Sequence, residues 1–120
     1  MPEEKKPFSS KYLKKSEVHK TAQWTKVGRQ YRGKNPFCEV SAHFEVVAPA
    51  EETDHIIPTT QGGAGFDERN LMSLTRKLNR YKGGLETSKG VLIQWKYNEN
   101  GEKIPEDRSQ IFKIFKHKFQ

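Results

Sequence analysis

The sequence holds a single cysteine, Cys38, among its 120 residues. One thiol excludes an internal disulfide framework and suits a reducing compartment. Long apolar runs are also missing: nothing approaches the roughly 18 residues that a membrane-crossing helix needs. The opening stretch, MPEEKKPFSSKYLKK, has charges with no apolar segment behind them, so no secretory signal peptide is expected. These absences together lead to the expectation of a cytoplasmic (intracellular) protein without membrane contact. No repeat of about 20–50 residues is visible, which excludes solenoids and propellers. Hydrophobic residues make up only 32% of the chain and mean hydropathy is −0.95. A chain of this length and composition supports one small domain with a thin core, the kind that often leans on a metal or a partner.

Charge of one sign is missing locally. The protein carries 22 Lys+Arg against 15 Asp+Glu, a net +7. Yet residues 39–68 hold seven carboxylates and no Lys or Arg, while 1–38 hold ten basic and three acidic residues and 69–120 hold twelve and five. Basic flanks point to a polyanion, most often nucleic acid. An acidic middle repels phosphate unless a cation sits there, although a solvated loop with scattered carboxylates accounts for the composition equally simply.

Residues 1–15 read as a flexible basic arm and 16–120 as a single domain. Val18, Ala22, Val27 and Tyr31 fall on one helical face over 16–31, with Ser16 as the N-cap. The segment 37–47, FCEVSAHFEVV, reads as one or two strands and Thr53–Ile57 as another. Gly62, Gly63 and Gly65 make a loop of the following stretch. A helix is expected after Asp67, with Leu71, Leu74, Leu78 and Tyr81 inward, Thr75, Asn79 and Lys82 on another face, and Gly83-Gly84 as its stop. Val91–Tyr97 reads as a strand, Asn100-Gly101 as a hairpin turn returning through Glu102–Ile104, and Pro105–Gln120 as a helix with Pro near its first turn. Trp24 and Trp95 are expected to be core anchors. His19, His43 and His117 are expected to be ordinary surface or partly packed imidazoles.

The acidic stretch contains Asp54-His55, the one adjacent carboxylate–imidazole pair in the chain. A carboxylate oxygen is a hard donor suited to Mg²⁺ or Mn²⁺. A neutral imidazole can take a proton from water. Phosphodiester hydrolysis needs both, a cation on the phosphate and a base for the attacking water. In a regular strand these neighbours point to opposite faces, so they serve one phosphate only where the strand bends or ends.

The segment ETDHIIPTTQGGAGFDERNLMSLTRKLNRYKGG resembles the core of an HNH (His-Asn-His) endonuclease, a ββα-metal nuclease. Asp54, His55, Ile56, Ile57, Pro58, Gly62, Gly63, Asp67, Asn70, Leu71 and Lys82 carry the likeness, and Trp24, Tyr31 and Asn35–Glu39 resemble the lead-in. It spans about residues 16–86, with the motif core at 38–84. The resemblance implies an α+β fold with a ββα-metal core, an N-terminal helix and a C-terminal hairpin or helix extension. It implies His55 as general base, Asp54 as metal ligand, and Asn70 as the residue holding the loop that positions His55. The family's last His falls on Asn79, whose amide oxygen suits Mg²⁺ or Mn²⁺; this would be an HNN variant. The positions of the zinc-binding cysteines of many relatives read Cys38, Ser41, Thr75 and Leu78, so no structural zinc is expected. Lys82, with Arg69, Arg76 and Arg80, is read as a set of phosphate grips or, equally simply, as a solvated helix face.

Two functions therefore compete. One is a metal-dependent endonuclease hydrolysing DNA, expected to be double-stranded, with a homodimer or a phage protein as further partner and a phage or mobile-element setting by association. The other is a catalytically decayed HNH-like module that still grips nucleic acid. A third reading, an adaptor docking through Ile111–Phe119, rests on that apolar tail.

Overall fold

The computed structural model describes residues 9–10 and 14–120. The expected arm at 1–15 lies mostly outside the described residues. Ser10 is an exception to the arm reading: it is fully buried, and its backbone N–H and hydroxyl both donate to Glu102 Oε2, at 3.2 and 2.6 Å.

The architecture is mixed α+β, with two small antiparallel sheets. A 3-10 segment, Lys15–Lys20, leads into helix α1 (Ala22–Lys34). The cap of α1 is Thr21, whose hydroxyl accepts the Trp24 N–H, and not Ser16. Helix α2 (Glu39–His43) replaces the strands expected at 37–47; only Phe37 makes an isolated bridge, to Pro49. The local chemistry explains the difference. Cys38 Sγ accepts the Ser41 N–H at the start of α2, and Glu45 at φ 63° ends the turn. Strand propensity is a weak preference that such local bonding overrides.

Strand β1 (Glu52–His55) pairs antiparallel with β2 (Leu71–Leu74), with Asp54 opposite Met72 and His55 opposite Leu71. The helix expected after Asp67 is thus first a strand, and Asp67 caps only a 3-10 turn at Glu68–Asn70. All four residues of β2 are buried, so no polar alternation separates them from a helix face in the sequence. Helix α3 (Arg76–Lys89) begins at its Thr75 cap and runs through Gly83-Gly84, stopping at Gly90. Of the strand expected at 91–97 only β3 (Trp95–Tyr97) forms. It turns through Asn98–Gly101 to β4 (Lys103–Pro105), with Gly101 at φ 76°. The tail is helical as expected, a 3-10 helix over Arg108–Phe119 capped by Asp107; Pro105 closes β4 rather than opening it.

The β1–β2 hairpin separates two cores. On one side Val18, Val27, Tyr31, Phe66 and Leu71 pack with Trp24. On the other, Cys38, Val40, Ile56, Met72, Leu74, Leu78, Ile111 and Phe115 form the larger cluster. A polar knot ties α1, α2, β2 and the tail. Glu39 accepts from Tyr31 Oη and Ser73 N–H, each at 2.7 Å, and pairs with Arg108 at 3.0 Å. Burial and the Glu39 carboxylate hold the Tyr31 phenol well above its ordinary range. No helix among the described residues is long and apolar enough to cross a membrane.

Candidate active site

Strand β1 ends at His55, and this termination lets two neighbouring side chains reach one place. A cleft of about 410 Å³ is bordered by His19, Trp24, Glu51, Glu52, Asp54 and Asn79, among others. A second, of about 250 Å³, is bordered by His19, Asp54, His55, Pro58, Thr59, Thr60 and Glu86. Asp54 and His55 therefore meet at the second cleft although the strand pleat alone would part them.

The turn after β1 is built to hold His55. Asn70 is fully buried; its Oδ1 accepts the Ile57 N–H at 2.8 Å, and its Nδ2 donates to Ile57 O at 3.0 Å and Ala64 O at 2.8 Å. One side chain thus pins both ends of the glycine loop. Gly63 is obligatory there, since a Cβ would sit 1.9 Å from Ile57 O. The loop delivers the Gly65 carbonyl to His55 Nε2, at 2.9 Å. From the other side Ser10 Oγ accepts the Gly65 N–H at 2.9 Å.

That bond settles the tautomer. A carbonyl only accepts, so Nε2 carries the proton and, in the neutral ring, Nδ1 keeps its lone pair. Nδ1 is buried without a hydrogen-bond partner among the described residues. His55 is 2% exposed, and burial pushes its pKa down to about 4, assisted by His19 and Lys82 and opposed by the Gly65 bond. The ring is neutral at pH 7. Trp24 stacks on it at 4.2 Å and 25°, and His19 meets its edge at 5.1 Å.

Lys82 is a correction to the expected phosphate grip. Its side chain is 0% exposed, with the ammonium 2.7 Å from Asp54 Oδ2, 2.6 Å from Glu86 Oε2 and 2.8 Å from His55 O. The contact with Asp54 is an ion pair without an aligned hydrogen bond. A buried ammonium stays charged only beside carboxylates, and α3 places Lys82 between two of them. Burial pushes the Asp54 carboxyl above its ordinary range, against Lys82 and His19. Burial likewise raises Glu86 to about 7, against Lys82 and with Asp54 adding to it.

Asn79 borders the first cleft with Asp54, and its Nδ2 donates to Glu52 Oε1 at 2.9 Å. That bond fixes the amide with nitrogen toward Glu52, which leaves its oxygen as a hard donor. Among the described residues no three His, Cys, Asp or Glu side chains converge as a metal cluster. The arginines divide. Arg69 is clamped by Asp67 and Glu99, each at 2.7 Å, and borders neither cleft. Arg76 lies 3.5 Å from Glu52, and Arg80 is exposed. Cys38 is fully buried, in one cluster with Leu78.

His19 is an exposed, partly packed imidazole as expected, but sequence reasoning did not place it or Glu86 at these clefts, nor Trp24 on the His55 ring. Glu86 had a signal, its i,i+4 spacing from Lys82. His19 had none, standing 35 residues before Asp54 with no motif around it. Trp24 packs on its core as expected and also stacks on the His55 ring, while Trp95 is 42% exposed with Lys103 over its ring, not a core anchor. Compared with known proteins, the chain matches no family model, no curated protein and no solved structure.

Proposed function

We propose that the protein is a metal-dependent endonuclease of the HNH type, hydrolysing phosphodiester bonds in DNA. The observation that carries this reading is His55: a buried, neutral imidazole of a residue that borders a cleft, with its Nε2–H spent on Gly65 O and its Nδ1 without a hydrogen-bond partner among the described residues. A base in that state can take a proton from water at neutral pH. The order β1, β2, α3 around Asp54, His55, Asn70 and Asn79 supports a ββα-metal core.

In this mechanism water beside His55 gives its proton to Nδ1 and its oxygen forms the new P–O bond. The bond to the departing 3′ oxygen breaks in the same displacement. Asn70 keeps the loop, and so the ring, in place. A divalent ion would be held by the Asp54 carboxylate and the Asn79 amide oxygen, and when bound would neutralise charge on the phosphate and leaving oxygen. The donor set fits a hard cation such as Mg²⁺ or Mn²⁺. Glu51 and Glu52 on the same cleft add negative potential. The Lys82 ammonium, 2.7 Å from Asp54 Oδ2, would compete with such an ion for that carboxylate.

That competition is also what favours the second reading, a module that binds nucleic acid without cutting it. Supercoiled plasmid incubated with Mg²⁺, Mn²⁺ or EDTA separates the two. Nicking that needs metal and drops at least about 100-fold in His55→Ala is expected, the usual scale for losing a general base. Undiminished cleavage by His55→Ala overturns the mechanism; binding without cleavage in any metal establishes the second reading.

A further inference from the structure

We propose that His19 is a further catalytic residue of this site, donating an imidazole N–H to a non-bridging oxygen of the scissile phosphate. The proposal rests on the endonuclease reading and names a residue that the HNH-like motif does not contain.

Position comes first. His19 and Asp54 are the two residues that border both clefts, so they mark the junction a phosphodiester would cross in passing from one to the other. His19 is exposed there, whereas His55 beside it is buried.

The ring is also held rather than free. It meets Trp24 edge-on at 5.6 Å and 84°, and His55 at 5.1 Å and 76°. Its backbone is anchored next door: Val18 is fully buried, and its carbonyl accepts from both the Thr21 N–H and the Thr21 hydroxyl. No hydrogen bond among the described residues engages the His19 ring nitrogens. Fixed donors aimed at developing phosphate charge cost no reorganisation during reaction.

Elimination points the same way. Lys82, whose ammonium touches Asp54, is consumed by Asp54 and Glu86. Arg32 borders the first cleft and not the second, and its Nη1 donates to Thr53 Oγ1 at 2.7 Å. Of the residues bordering the second cleft, His19 is the one exposed side chain with a nitrogen donor.

Three variants test it in the plasmid assay, with His55→Ala alongside. His19→Phe keeps a ring against Trp24 and His55 but removes the nitrogens. His19→Gln returns an N–H donor. His19→Ala opens space that added imidazole can fill. A lost oxyanion-type donor lowers kcat by roughly 100- to 1,000-fold, so His19→Phe should fall by that much with KM changed far less. His19→Gln should recover part of the loss, and imidazole should stimulate His19→Ala but not His19→Phe, whose ring leaves no such space. Wild-type kcat in His19→Phe overturns the proposal. So does an equal loss in Phe and Gln variants with no imidazole rescue, since packing alone explains that. The endonuclease reading stands or falls separately: it survives these failures if wild type cuts and His55→Ala does not, and both fall if wild type cuts with no metal.

Discussion

His55 is where one residue's surroundings decide its chemistry. An imidazole in water titrates near pH 6.5; enclosed by Trp24, the glycine loop and β2 it titrates near 4. A folded pKa below the unfolded one gives stability that is complete above pH 6.5 and lost as pH falls through about 4. Over that window His55 should cost the fold about 3 kcal/mol, from 1.36 kcal/mol per pKa unit. Chemical denaturation of wild type and His55→Gln at pH 7.5 and pH 4 checks it: the wild-type advantage should shrink by that amount on acidification. An unchanged difference would mean that His55 is not held neutral. Much of this environment was legible at the level of single residues. Asp54, His55 and Asn70 stood out by type and spacing, and Asn70 does pin the loop that bonds His55. The placement of His19 and Ser10 was not legible, because it arises only from long-range contact: Ser10 reaches Gly65 and Glu102 across 55 and 92 residues.

At the scale of elements, legibility followed how local the cause was. The Asn100-Gly101 turn has local chemistry and formed as read, and the strand read at Thr53–Ile57 began one residue earlier and ended two residues sooner, as Glu52–His55. Leu71–Leu74 did not, since a strand buried on both faces shows no period of two and mimics a helical row. Gly83-Gly84 misled in the opposite way. Glycine weakens a helix without ending it, and the Thr75 cap together with Leu78 in the core carries α3 past both. A consequence can be measured. A Cβ at Gly83 or Gly84 meets nothing within 4 Å, and neither residue has a positive φ. Replacing each by Ala should therefore stabilise the protein by about 0.5–1 kcal/mol, through lower unfolded-state entropy and better helix propensity. Thermal melting of Gly83→Ala/Gly84→Ala should show a rise of several degrees. A drop would show that the helix needs its glycines for close approach to a partner.

Across the whole molecule, the uneven charge acquires a plan. Of the seven carboxylates in residues 39–68, Glu51, Glu52 and Asp54 border the first cleft. Glu39, Asp67 and Glu68 are instead structural partners of Arg108, Arg69 and Lys34. The acidic stretch thus divides between cleft wall and scaffold, which composition alone could not separate. The elements beside the cleft are basic: α1 carries Lys26, Arg29, Arg32 and Lys34 with no acidic residue, and α3 carries five basic residues against Glu86. Lys82 drops out of any phosphate count because it is buried. If α1 and α3 hold the backbone, binding should depend on salt through counterion release, with a slope of about −0.9 in log K against log salt per phosphate neutralised. Exposed Arg29, Lys77 and Arg80 should each contribute about one unit. Fluorescence anisotropy with a labelled duplex in EDTA, from about 50 to 200 mM salt, measures this without any cleavage. Arg80→Ala should reduce the slope by about one, whereas Arg69→Ala should leave it unchanged because Asp67 and Glu99 already occupy that guanidinium. The reverse pattern would move the nucleic-acid face away from the cleft and toward the β3–β4 turn, where Glu99 sits.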